Sequence, residues 1–143
     1  MFYIIALEIF VFNHERSITM IDFENGSVFK LHLVESASVE REVEPQLVAD
    51  EDIIGIFKSI RDHIVFTNRR VIAVNVQGVT GKKRSFTTLP YSKIQSFTVE
   101  TSGIFDIDSE LELYYSALGS VRFEFTGRSN VAEISQLIAA YIL

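Results

Sequence analysis

Between residues 52 and 126 the chain is cut into seven short apolar runs, each stopped by turn-forming residues. After residue 130 the apolar spacing changes from alternation to that of one helix face. The runs are Asp52-Lys58, His63-Thr67, Arg70-Asn75, Arg84-Thr88, Ile94-Glu100, Glu110-Tyr115 and Val121-Thr126. Successive strand side chains point to opposite faces, so Leu111, Leu113 and Tyr115 share one face of the sixth run. Val121, Phe123 and Phe125 share one face of the seventh in the same way, and these six side chains are expected in the core. Thr67-Asn68-Arg69, Gly78-Val79-Thr80-Gly81, Leu89-Pro90-Tyr91-Ser92 and Leu118-Gly119-Ser120 are turn sequences of the kind that join antiparallel neighbours. Val131, Ile134, Leu137, Ile138, Tyr141 and Ile142 then fall on one helix face, with Asn130 as N-cap and Glu133 reaching back to complete a capping box. The pattern predicts a mainly β fold: seven antiparallel strands in an open barrel or two orthogonal sheets, capped by one C-terminal helix.

Upstream of these runs the signals are thinner. Asn25-Gly26 stands between the β-prone stretches Ile21-Glu24 and Ser27-Phe29, which predicts a small N-terminal hairpin or extended arm. Ser38 to Ala49 is acidic, with Val39, Val43, Leu47 and Val48 at a helical spacing that Pro45 interrupts, and reads as a short helix or pair of turns. Phe2 to Phe12 is apolar apart from Glu8 but far shorter than the roughly 20 residues a membrane-spanning helix needs. It also lacks the basic start and small-residue cleavage site of a secretory signal. Residues 1–19 are therefore read as an extension, with Met20 as an alternative start, and residues 20–143 as one domain.

The 143 residues are 48% hydrophobic and include 12 Phe, enough for one packed core. There is no Cys, hence no disulfide framework, thiol nucleophile or Cys-ligated zinc, and a cytoplasmic location is expected. A net charge of -6 argues against a nucleic-acid partner, which demands a basic footprint. The charge is unevenly spread: residues 1–50 hold 3 basic and 9 acidic side chains, residues 51–100 hold 8 and 4, and residues 101–143 hold 2 and 6. A positive middle thus lies between two acidic flanks.

His14, His32 and His63 sit in separate segments, and no nucleophile elbow, phosphate-cradling glycine loop or dinucleotide fingerprint is present. Neither an enzyme nor a cofactor is expected. Asp106, Asp108, Glu110 and Glu112 alternate as clustered oxygens might for Ca²⁺, but the sixth residue from Asp106 is Leu111 where a calcium loop needs Gly. A solvated face is the better reading, with Arg122 as a cross-strand partner. The dense basic cluster is Lys82-Lys83-Arg84, which can touch an anionic lipid surface or simply keep an exposed hairpin from pairing. Arg69 and Arg70 follow Asn68 at a tight turn, where a guanidinium can hold a carboxylate of a neighbouring element or of another protomer. Because both lie at a turn, reversing their charge is expected to spare the fold and weaken assembly.

Several segments resemble the bacterial pleckstrin-homology-like domains: Ile64-Val65-Phe66-Thr67-Asn68-Arg69-Arg70-Val71-Ile72-Ala73-Val74, Gln77-Gly78-Val79-Thr80-Gly81-Lys82-Lys83, Leu89-Pro90-Tyr91-Ser92-Lys93-Ile94 and Phe105-Asp106-Ile107-Asp108-Ser109-Glu110-Leu111. The likeness spans about residues 20–143. It implies a pleckstrin-homology-like fold that often stands alone, tends to self-assemble and has no established catalytic role. Eukaryotic relatives that bind phosphoinositides cluster Lys and Arg at the first hairpin, whereas Ser59-Ile60-Arg61-Asp62-His63 is short and mixed in charge. The resemblance therefore implies a binding or assembly module whose partner is itself or another protein. The alternative is a peripheral membrane module that contacts anionic headgroups through the basic hairpin.

Overall fold

Each of the seven apolar runs is a strand, and an eighth strand precedes them. The structure, a computed structural model, describes residues 27–60, 62–77, 82–101 and 108–143. The elements are β1 (Ser27–Val34), α1 (Ala37–Val43), β2 (Ile53–Lys58), β3 (His63–Thr67), β4 (Arg70–Gln77), β5 (Lys83–Pro90), β6 (Ser96–Thr101), β7 (Ser109–Tyr115), β8 (Gly119–Phe125) and α2 (Val131–Ile142). Single 3₁₀ turns occur at Glu44–Gln46 and Tyr91–Lys93. The expectations about residues 1–19, a start at Met20 and the Asn25-Gly26 turn fall outside the described residues.

The strands form one curled sheet in the order β5-β4-β3-β2-β1-β8-β7-β6, a half-barrel with the C-terminal helix packed into it. The expected count of seven antiparallel strands is corrected to eight, one pair of which is parallel. β1 makes the difference, because its residues 27–31 run parallel to β8 while His32, Leu33 and Val34 pair antiparallel with β2. A strand that changes neighbour midway turns the corner between two sheets, and Thr126 extends the corner by donating to Leu31 O from both its backbone N and its Oγ1.

The concave side holds the main core. Phe29, Phe57, Phe66, Phe123 and Phe125 meet ring to ring across β1, β2, β3 and β8, with centroids 4.9–5.8 Å apart. Leu111, Leu113, Tyr115, Val121, Phe123 and Phe125 are all buried there, as alternation predicts, and α2 adds Val131, Ile134 and Ile138. Asn130 does not cap α2 with its side chain. Its Nδ2 donates instead to Ile54 O at 2.9 Å, fastening the helix start to β2. Gly55 leaves room for this contact, since a Cβ there would sit 3.2 Å from Asn130 Oδ1 and 3.0 Å from the Phe57 ring.

A second core lies on the convex side. Ser36 caps α1 by accepting from Val39 N, and Pro45 within the 3₁₀ turn marks the end of the α-helix. Val39 and Val43, four residues apart on one helix face, pack on Ile56, Val65, Ile72 and Val74. α1 thus covers the outer face of β2, β3 and β4.

Candidate functional site

The two predicted basic sites lie at opposite ends of β4 and β5. Arg69 and Arg70 are at the β3–β4 turn, while Lys82, Lys83 and Arg84 open β5 at the far end, where Gln77 faces Lys83 and Val76 faces Arg84. Seven strand steps separate Arg70 from Gln77, roughly 23 Å, so the structure does not bring the two groups together.

The structure also separates Arg69 from Arg70. Glu51 is drawn inside just before β2, with its side chain fully covered, and Arg70 Nε donates to Glu51 Oε2 at 2.9 Å while Arg70 Nη2 reaches Oε1 at 3.1 Å. Thr67 Oγ1 donates to Glu51 Oε2 at 2.7 Å and Val48 N to Oε1 at 3.0 Å. The remaining Arg70 donors go to Thr88 Oγ1 and Gln46 O. Burial pushes the Glu51 carboxyl up, but the hydrogen bonds from Arg70, Thr67 and Val48 outweigh it and hold the group below its ordinary range. Asn68 completes the turn by accepting from Asp52 N and donating to Asp50 O. Tyr91 OH donates to Thr67 O at 2.7 Å, and burial raises that phenol well above its ordinary value. Arg70 is therefore the pin between the α1 segment and the sheet, and the expectation that its charge can be reversed without loss of fold does not hold. Arg69 has no ion pair among the described residues.

Lys82 and Lys83 are exposed at the other end. Arg84 Nε lies 3.3 Å from Glu42 Oε2 of α1, an ion pair with both side chains 34% exposed. The basic hairpin is thus two outward lysines beside an arginine that also holds α1.

The third charged surface is the outer face of β6, β7 and β8, which α1 leaves uncovered. The register sets Glu100 beside Glu110 and Glu110 beside Glu124, with Lys30 of β1 next in the row. Partial burial, followed by a hydrogen bond to Glu100 and the charges of Glu124 and Glu100, raises the Glu110 carboxyl, against the pull of Arg122. Glu112 faces Arg122 across the strands as expected, while Arg122 Nε lies 4.0 Å from Glu124 Oε1 on its own strand. Asp108 Oδ1 accepts from Gly127 N, which commits it to the β8–α2 connection, and Asp106 lies outside the described residues. The described residues include no group of three or more His, Asp or Glu side chains arranged to hold a metal.

Sequence reasoning missed Glu51 and the Glu100-Glu110-Glu124 row. Glu51 sits between Asp50 and Asp52, and no local pattern says which of three acids turns inward. The row was open to inference: alternation puts Glu110 and Glu124 on the outer face, and only the register, set by the hairpin lengths, aligns them.

A sequence model of the family described as bacterial PH domain matches residues 22–142. The chain belongs to the bacterial PH domain family. It is 38% identical over 120 residues to the uncharacterized protein YjqA of Bacillus subtilis (strain 168), covering 82% of this chain and 96% of that protein. Among solved structures, a DUF1696 family protein with a pleckstrin-homology domain from Shewanella loihica PV-4 superposes with a TM-score of 0.62 at 36% identity, over 82% of this chain and 99% of the other. A pleckstrin homology domain from Shewanella amazonensis SB2B gives 0.52 at 39% identity, over 77% and 90%. As a bacterial PH domain the chain has the expected mainly β, helix-capped architecture, and no described helix is long and apolar enough to cross a membrane.

Proposed function

We infer that this bacterial PH domain is a non-catalytic, cytoplasmic binding and assembly module, which associates with copies of itself and with other proteins and uses no cofactor. The observation that carries the reading is the row Glu100-Glu110-Glu124 on the uncovered face. Like charges directly opposite one another on neighbouring strands destabilise an isolated sheet, and a cation from a second molecule relieves that cost. Arg69 supplies such a cation: it is half-buried at a tight turn and makes no ion pair among the described residues. A contact from the Arg69 turn of one copy to the acidic row of the next joins two different surfaces, so it is heterologous and closes into a ring where the rotation allows. The non-catalytic part rests on the sequence, where no nucleophile, base and orienting group share a motif.

Charge swapping tests this. Light scattering should show a lower mass for Arg69→Glu and for Glu110→Lys with Glu124→Lys than for wild type, and recovery of mass when all three changes are combined. A monomeric wild type, or single-sided variants that keep the wild-type mass, would remove the assembly reading.

A further inference from the structure

The curled sheet ends in β5 on one side and β6 on the other, and the sequence treats the two edges differently. Among the described residues β5 pairs with β4 alone and β6 with β7 alone, so each carries backbone N–H and C=O groups turned away from its one neighbour. β5 is guarded: Lys83 and Arg84 stand exposed at its start, and Pro90, which has no N–H to give, ends it. β6 has no such guard. It reads Ser96-Phe97-Thr98-Val99-Glu100-Thr101, without Lys, Arg or Pro, and it pairs with β7 from end to end without a register shift. Phe, Val and Thr favour the strand conformation, so the edge is a ready template for one strand more.

The two faces of β6 define what fits beside it. Phe97 and Val99 point to the concave side, opposite Leu113 and Leu111 of β7, which are fully buried. Phe97 and Val99 pack on the same core yet are only half-buried, because no described strand covers their far side. Ser96, Thr98 and Glu100 face outward and are exposed. Glu100 heads the row it forms with Glu110 and Glu124, so a residue placed opposite it on an added strand extends a line of carboxylates. An acid in that place adds to the repulsion, and a Lys or Arg relieves it.

We propose that the open edge of β6 takes up an extended segment of another protein, whose apolar residues lie beside Phe97 and Val99 and whose basic residue lies beside Glu100. Main-chain hydrogen bonds supply the attachment, and the alternating side chains select the partner. The inference deepens the binding reading above and rests on the same uncovered acidic face, but it uses the sheet edge and not the Arg69 contact.

The probe is a fluorescein-labelled peptide matched to β6 in length, with lysine and valine in alternation, titrated with the full chain at low salt and read by fluorescence anisotropy. A glutamate–valine peptide is its counterpart. Wild type should bind the lysine peptide at least about fivefold more tightly, the worth of one cross-strand charge pair. Glu100→Lys should reverse the preference, and it should melt no lower than wild type because the side chain is exposed and the change removes a like-charge neighbour. Methylating the amide nitrogens of alternate peptide residues should abolish binding for one set and spare it for the other, since only one side of an added strand faces β6. Arg69→Glu should bind the lysine peptide as wild type does, so failure of the assembly contact and failure of this one are told apart. No binding, no preference between the peptides, a preference unchanged by Glu100→Lys, or the same effect of both methylated sets overturns the proposal. Binding confined to Arg69→Glu assigns the edge to a second copy and overturns it as well.

Discussion

The two halves of the sheet share one concave core and differ on the convex side. In β3 four consecutive residues, Ile64 to Thr67, are buried, and in β4 Val71 to Val74 are buried as well, because α1 covers the face the core leaves free. In β7 and β8 burial alternates, and the outward positions are Glu110, Glu112, Arg122 and Glu124. The first half is a three-layer structure pinned by Glu51 and Arg70; the second is a single sheet with one wet face. The α1 side has buried its convex apolar surface against its own chain, while the β6–β8 side keeps its apolar side chains in the concave core and turns charged ones outward.

Substitutions can break this comparison. Phe123 lies in the core beneath both halves, so Phe123→Ala should destabilise by about 3–5 kcal/mol in denaturant titration. Arg70→Ala should cost about 3–5 kcal/mol by leaving the Glu51 carboxylate buried and uncompensated. Arg122→Ala on the wet face should stay within about 0.5 kcal/mol. Should these two arginines prove equal, the pin assigned to Arg70 is wrong. Ile72→Ala, beneath α1, should cost about 2–5 kcal/mol, and Glu112→Ala, at an outward position of β7, about 0.5 kcal/mol or less.

Two pH effects sharpen it further and carry opposite signs. Glu51 has a lowered folded-state pKa, so its contribution is full above the unfolded value of about 4.5 and is lost as pH falls through the folded value. Wild type should therefore lose melting temperature in acid, and Glu51→Gln should flatten that slope. Glu110 has a raised folded-state pKa, so its contribution is present below the unfolded value and is lost as pH rises through the folded one. Glu110→Gln should raise the melting temperature slightly near neutrality and leave it unchanged in acid.

Much of the fold is legible in the sequence because alternation and turn chemistry are local. The clean alternation of Leu111-Glu112-Leu113 and Val121-Arg122-Phe123 marks a sheet with one wet face, and the unbroken Val71-Ile72-Ala73-Val74 marks strands covered on both. β1 was harder to read because its pairing depends on β8, more than 90 residues away, and no hairpin turn announces a parallel partner. Asn130 shows the limit of local rules: its position suits a cap, yet the free carbonyl of Ile54 in β2 takes its side chain instead. Of the charged residues, the sequence showed where Arg69, Arg70, Lys82, Lys83 and Arg84 stand along the chain. It did not show that Glu51 would claim Arg70 or Glu42 approach Arg84, because both contacts depend on how α1 docks.

The proposed surface for another copy of the chain is the uncovered, acidic half of the sheet. Its most direct test is the mass of the intact protein by light scattering at low and moderate salt. The expected result is a defined multiple of 16.2 kDa that declines toward the single-chain value as salt screens the contact. A single species of 16.2 kDa at both salt concentrations would contradict it.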